Sequence, residues 1–180
     1  MDGINKSIEV YNRVSKLKDL KRSGWVQRNI PCNRIESVAE HCFSMSNLAI
    51  LVNYEKNLNL DMAKVLAMIS IHEYGEVVIG DITPKDNVSS YDKHNREKQG
   101  VIEVVGNHAA KEYIIALWEE FESQSSNEAI FVFLLDKFQA VLQAREYSES
   151  YNIPKVAEEF TNYYNSILKS REDIPKQFIR

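Results

Sequence analysis

The chain has 180 residues and 44% of them are hydrophobic, enough for one packed domain spanning residues 1–180. A formal charge of −4 gives no general attraction to nucleic acid polymers or anionic lipid, so any phosphate has to be gripped by local groups. Cys32 and Cys42 lack zinc-site spacing, the N-terminal stretch lacks a secretory apolar core, and no apolar run approaches membrane-spanning length. A cytoplasmic protein with free thiols and no membrane partner is the expectation.

Four prolines and six glycines punctuate the chain, and apolar positions recur mostly at three- and four-residue steps, which predicts an all-α fold. Ile4, Ile8, Tyr11 and Val14 mark a first amphipathic helix. A basic, irregular connector follows from Lys21 to Arg34, carrying Gly24, Trp25, Arg28 and Pro31. The next helix runs from about Ser37 to Tyr54 on a stripe of Val38, Cys42, Met45, Leu48 and Val52, with His41 on or beside it. Asp61 is a fitting N-cap for a helix in which Val65, Ile69, His72 and Glu76 share one face and which Gly80 ends. Asp81-Ile82-Thr83-Pro84 cannot easily continue it.

Residues 85–100 read as half loop and half exposed helix. Ile114, Leu117, Trp118 and Phe121 mark a further helix, and QSSN at 124–127 a loop ending in a cap. From Glu128 onward Ala129, Phe133, Asp136 and Ala140 share a face, which puts a carboxylate on an apolar stripe. A last helix starts at Pro154 and uses Val156, Phe160, Tyr163 and Ile167. His94 and His108 sit in polar stretches and are expected to face solvent.

Three polar side chains on inward faces need a partner, because burying even a neutral polar group unpaired costs roughly 2–7 kcal/mol by small-molecule transfer. They are His41, His72 and Asp136, with Glu73 beside His72 as a natural fourth. One buried histidine is more often a satisfied core residue than a ligand, and one buried aspartate more often pairs with Lys or Arg. Together on three helices the set suits a divalent cation, since imidazole nitrogen and carboxylate oxygen are ligands of Zn, Mn, Fe and Co. A zincin helix is excluded, because it requires histidines at i and i+4 and here the i+4 residue is Glu76. Glu76 reads either as an acid standing over a metal-bound water or as a plain surface carboxylate.

ESVAEH at 36–41, HEYGEVVIGDITP at 72–84 and LDKFQAVLQA at 135–144 resemble, in order and spacing, the three signature regions of the HD-domain phosphohydrolases. The branch most similar is the 5′-deoxynucleotidase group, whose eukaryotic members share a connector like Gly24-Trp25-Val26-Gln27-Arg28. The resemblance implies a compact HD-domain helical bundle with metal-site helices over about 36–145 and C-terminal helices over about 128–170. It implies that His41, His72, Glu73 and Asp136 match the metal ligands and that Glu76 and Asp81 match the catalytic or substrate-side acids. Glu73 departs from the family's defining aspartate. Some bacterial members place Arg directly before Trp; this chain has Gly24 there, so the cationic role passes to Arg22 or Arg28. Trp25 either stacks on a nucleobase or covers the bundle end.

The expected activity is therefore divalent-metal-dependent hydrolysis of a nucleoside 5′-monophosphate, with Mn, Co, Fe, Zn or Mg as the ion and a homodimer through the Tyr- and Phe-rich C-terminal helices. The alternatives are an HD hydrolase of another phosphorylated nucleotide and an HD fold that binds nucleotides without catalysis.

Overall fold

A computed structural model describes residues 2–179; Met1 and Arg180, the ends of the expected domain, lie outside the described residues. Its helices are α1 (Asp2–Val14), α2 (Ser23–Val26), α3 (Val38–Lys56), α4 (Met62–Ile71), α5 (Glu76–Ile79), α6 (Ser90–Val105), α7 (Lys111–Ser123), α8 (Asn127–Tyr151), α9 (Pro154–Ser170) and α10 (Lys176–Ile179). The fold is all-α as expected. Among the described residues there is no strand, an isolated antiparallel bridge pairs Lys21 with Ser37, and no helix is long and apolar enough to cross a membrane.

Local chemistry sets the ends of the site-bearing helices. Ser37 and Glu40 form a reciprocal capping box that starts α3 three residues before His41, and Asn57 stops the helix in the left-handed region. Asp61 accepts from the amides of Ala63 and Lys64 to start α4, and Ser126 accepts from Ala129 to start α8. Met45 and Ala49 of α3, Val65, Met68 and Ile69 of α4, Val101 and Val105 of α6, Trp118 of α7 and Val132 of α8 form the main core. A smaller cluster gathers Trp25, Ile30, Ala140, Ala144 and Tyr147, covered by Val156 and Phe160 of α9.

Three elements differ from their sequence reading. The helix that begins at Asp61 does not run on to Gly80: α4 stops at Ile71, His72 is its C-cap, and α5 restarts at Glu76. The break sits where Gly75 meets α6. A Cβ on Gly100 would lie 2.5 Å from the Gly75 carbonyl oxygen, and one on Gly75 would lie 2.6 Å from the Glu97 carbonyl oxygen. Two backbones touch, and only glycine at both places permits it. This contact also explains α6, which runs through Gly100 and buries Val101, Val104 and Val105 instead of ending as an exposed helix at the glycine. Finally, Ile4, Ile8 and Tyr11 of α1 face solvent, at 65%, 50% and 61% exposure, so the amphipathic face of that helix is turned outward.

Candidate metal centre

Three segments bring four side chains to one buried point: His41 from the first turns of α3, His72 and Glu73 from the break after α4, and Asp136 from the middle of α8. His41, His72 and Asp136 are buried, and Glu73 is nearly so. Each of His41, His72 and Glu73 offers one ligand atom within 4.8 Å of the others. Asp136 joins through His41, with its Oδ1 3.1 Å from His41 Nε2. Glu73 Oε1 lies 3.3 Å from His72 Nε2 and 4.0 Å from His41 Nε2. The extra methylene of glutamate therefore still brings an oxygen to both imidazoles.

The residues fit a divalent cation on their hydrogen bonding. His72 Nδ1 lies 2.9 Å from the Ile69 carbonyl, which can only accept, so the proton sits on Nδ1. His41 Nδ1 lies 2.6 Å from Gln139 Oε1. Both Nε2 atoms are buried without a hydrogen-bond partner, although carboxylate oxygens stand close by. With neutral imidazoles, lone pair faces lone pair across these gaps, a repulsion that either a proton on Nε2 or a bound cation relieves. The same carboxylates raise the His72 pKa, against burial, which acts the other way. Burial also opposes ionisation of Asp136 and Glu73, yet Lys137, His41 and Arg22 hold Asp136 well below the usual carboxylate range, and His72 and Arg22 do so for Glu73. Both acids are thus ready to ligate.

Of the residues expected on the substrate side, Arg22 stands at this point. Its Nη1 donates to Glu73 Oε1 at 3.1 Å and its Nη2 is 3.7 Å from Asp136 Oδ1. Glu76 opens α5 with 3% exposure and its Oε2 buried without a partner. That removes the plain-surface reading. Burial, then the Glu73 and Asp81 charges, push the Glu76 carboxyl well above the usual range. Asp81 Oδ2 accepts from the Ser23 amide at 2.5 Å, tying the segment after Gly80 to α2.

The other two are engaged elsewhere. Trp25 is 2% exposed, its ring lies 4.6 Å from Phe160 and 5.4 Å from Tyr147, and its indole N–H donates to Glu36. No face is left for a nucleobase, and the residue covers the bundle end. Arg28 donates to both oxygens of Glu159, to the Gly24 carbonyl at 2.8 Å, and stacks over Phe160 at 4.7 Å. Its guanidinium fastens the connector to α9. His94 and His108 are not free in solvent either: His94 Nδ1 lies 3.0 Å from Glu122 with its ring against Trp118, and His108 Nε2 lies 3.0 Å from Ser7 Oγ. Cys32 and Cys42 are free thiols as expected.

Four residues near the centre escaped the sequence reading. Lys137 donates to Asp136 Oδ2 at 2.6 Å, and Gln139 and Glu36 form the chain behind His41 described below. Glu97, raised to about 7 by burial, lies 3.4 Å from Lys93. Gln139 carried a usable signal, since it follows Asp136 by three positions on the same helix face.

An all-helical bundle that gathers two histidines and two acids at one buried point defines a class, the helical proteins with a candidate His, His, acid, acid cation site. A family model described as an HD domain matches residues 14–176, and the chain belongs to the HD-domain family. Among its relatives, the 5′-deoxynucleotidase HDDC2 of Danio rerio is 35% identical over 159 residues, covering 87% of this chain and 77% of that protein. The protein of the same name from Bos taurus is 37% identical over 161 residues, covering 88% and 76%. The crystal structure of the PH0347 protein from Pyrococcus horikoshii superposes with a TM-score of 0.76 at 28% identity, covering 94% of this chain and 92% of that one.

Proposed function

We propose that this chain hydrolyses nucleoside 5′-monophosphates, deoxynucleotides foremost, to nucleoside and inorganic phosphate, with His41, His72, Glu73 and Asp136 holding a divalent ion. The observation that carries the reading is the pair of buried, unpartnered Nε2 atoms facing carboxylates. The names of the relatives, 5′-deoxynucleotidases at 30–38% identity over most of the chain, support the substrate class. When bound, such an ion supplies Lewis-acid charge to a phosphoryl oxygen and lowers the pKa of a water in the site.

The chain's own groups do the rest. Glu76, with its carboxyl pushed upward and one oxygen unengaged, accepts the proton of the attacking water as the oxygen–phosphorus bond forms. Arg22 balances Glu73 and Asp136 and presents its remaining N–H groups to the phosphate. Asp81, anchored at Ser23, serves the side where the bond to the 5′-oxygen breaks; that oxygen takes up a proton from solvent, and Glu76 returns the one it accepted. Neither Trp25 nor Arg28 has a place in this scheme.

The same reading takes residues 1–180 as one HD domain, in the cytoplasm, as a homodimer. The C-terminal face expected to pair is partly spent, because Val156 and Phe160 cover the smaller core. Exposed Phe43, Ile50, Leu51 and Tyr54 on α3 offer the better surface for a second copy.

Phosphate release from a panel of deoxy- and ribonucleoside 5′-monophosphates, with Mn, Co, Fe, Zn or Mg supplied in turn, tests the function. Turnover is expected on the 5′-monophosphates. Binding of deoxynucleotides with no release under any of the five metals would establish the non-catalytic alternative.

A further inference from the structure

We infer that Glu36 and Gln139 are positioning residues that fix the tautomer of His41, keeping its Nε2 bare toward Glu73 and Asp136. The inference rests on the metal centre proposed above and adds residues that hold no ligand themselves.

The order of donors and acceptors follows from groups with a single role. The Trp25 indole nitrogen can only donate, and it donates to Glu36 Oε2 at 2.9 Å. The Glu36 carboxylate accepts a second bond on Oε1 from Gln139 Nε2 at 2.6 Å. That contact decides which end of the Gln139 amide points where, so its oxygen faces His41 Nδ1 at 2.6 Å. An amide oxygen can only accept. The His41 proton is therefore on Nδ1 and the lone pair on Nε2.

Trp25, Glu36, His41 and Gln139 are all buried, at 2%, 6%, 0% and 3% exposure, so solvent does not compete for these bonds. The Glu36 backbone is pinned as well. Its N–H donates to Tyr147 Oη at 2.9 Å and its carbonyl accepts from the Arg22 amide at 3.0 Å. The two histidines are thus set by different means. His72 takes its tautomer from the carbonyl of Ile69 in its own helix, whereas His41 takes its tautomer from side chains of the connector, the segment before α3, and α8.

Glu36→Gln tests this with an isosteric change. The new amide must turn its oxygen to the Trp25 N–H and its NH2 to Gln139, which then has to flip and present its own NH2 to His41. The His41 proton moves to Nε2, where the metal would bind. Zinc affinity, read by competition with a chromophoric chelator, is expected to fall roughly 10–100-fold. In 15N NMR of the metal-free protein, the protonated nitrogen of His41 should be Nδ1 in the wild type and Nε2 in the variant. The double variant E36Q/Q139E restores the order, with the new carboxylate accepting from both His41 Nδ1 and the new amide at 36. It should recover zinc affinity to within about threefold of wild type, and it stands in for the single variant if E36Q fails to fold.

A wild-type His41 protonated on Nε2 overturns the inference, as does E36Q binding zinc as tightly as wild type. A double variant no tighter than the single one does so too. Wild-type protein that binds no zinc defeats the metal centre itself, and the NMR readout separates that outcome from failure of the tautomer relay.

Discussion

The metal centre and the connector end of the bundle use the same kinds of residue to opposite effect. At the connector, Trp25 and Arg28 are polar groups in tight surroundings with every strong donor spoken for: the indole N–H by Glu36, the guanidinium by Glu159 and the Gly24 carbonyl. At the centre, His41 Nε2, His72 Nε2 and Glu76 Oε2 are buried and have no hydrogen-bond partner. Burial is common to both regions. What separates a residue that holds the fold from one that waits for a ligand is whether its polar atoms are satisfied within the chain.

The contrast breaks most visibly at Glu76. Glu76→Gln removes a carboxyl that burial already disfavours as an ion, so we expect turnover to fall roughly 10²–10⁴-fold while the melting temperature stays level or rises. Steady-state phosphate release and a thermal melt on the same sample check it. A variant that loses stability and keeps turnover would place Glu76 with the structural group.

Arg28→Ala is the mirror experiment and the smaller effect. It deletes a half-exposed ion pair with Glu159 and a cation–π contact with Phe160, worth about 1–2 kcal/mol together in a chemical unfolding titration. The kcat and KM for a deoxynucleoside 5′-monophosphate are expected to stay at wild-type values. A KM raised tenfold at unchanged stability would return Arg28 to the substrate.

Much of this was legible in the chain itself. His41 and Asp136 show as polar interruptions of apolar stripes on long, well-capped helices, and such helices follow from local periodicity. The region from His72 to Glu76 was legible in residue type but not in shape. Its helix breaks because Gly75 meets the backbone of Gly100 and Glu97, a contact between segments some 25 residues apart that no local pattern announces. The same contact hid the inner half of α6.

The chain alone leaves Trp25 open between a nucleobase and the bundle end, and the cationic role open between Arg22 and Arg28, because the partners Phe160, Tyr147 and Glu159 lie more than a hundred residues away from Trp25 and Arg28. The pairing of Glu36 with Gln139 is hidden for the same reason. Between two polar residues 103 positions apart there is no sequence period to read, and only the folded chain shows that one orients the other.

The account stands or falls on the ion. Purified wild-type protein, analysed for metal and assayed for phosphate release before and after chelation, is compared with Asp136→Ala. The account predicts an equivalent of divalent ion per wild-type chain, turnover abolished by chelator and restored by metal, and an aspartate variant lacking both ion and activity. Turnover indifferent to chelation, or an Asp136→Ala protein with wild-type activity, would contradict it.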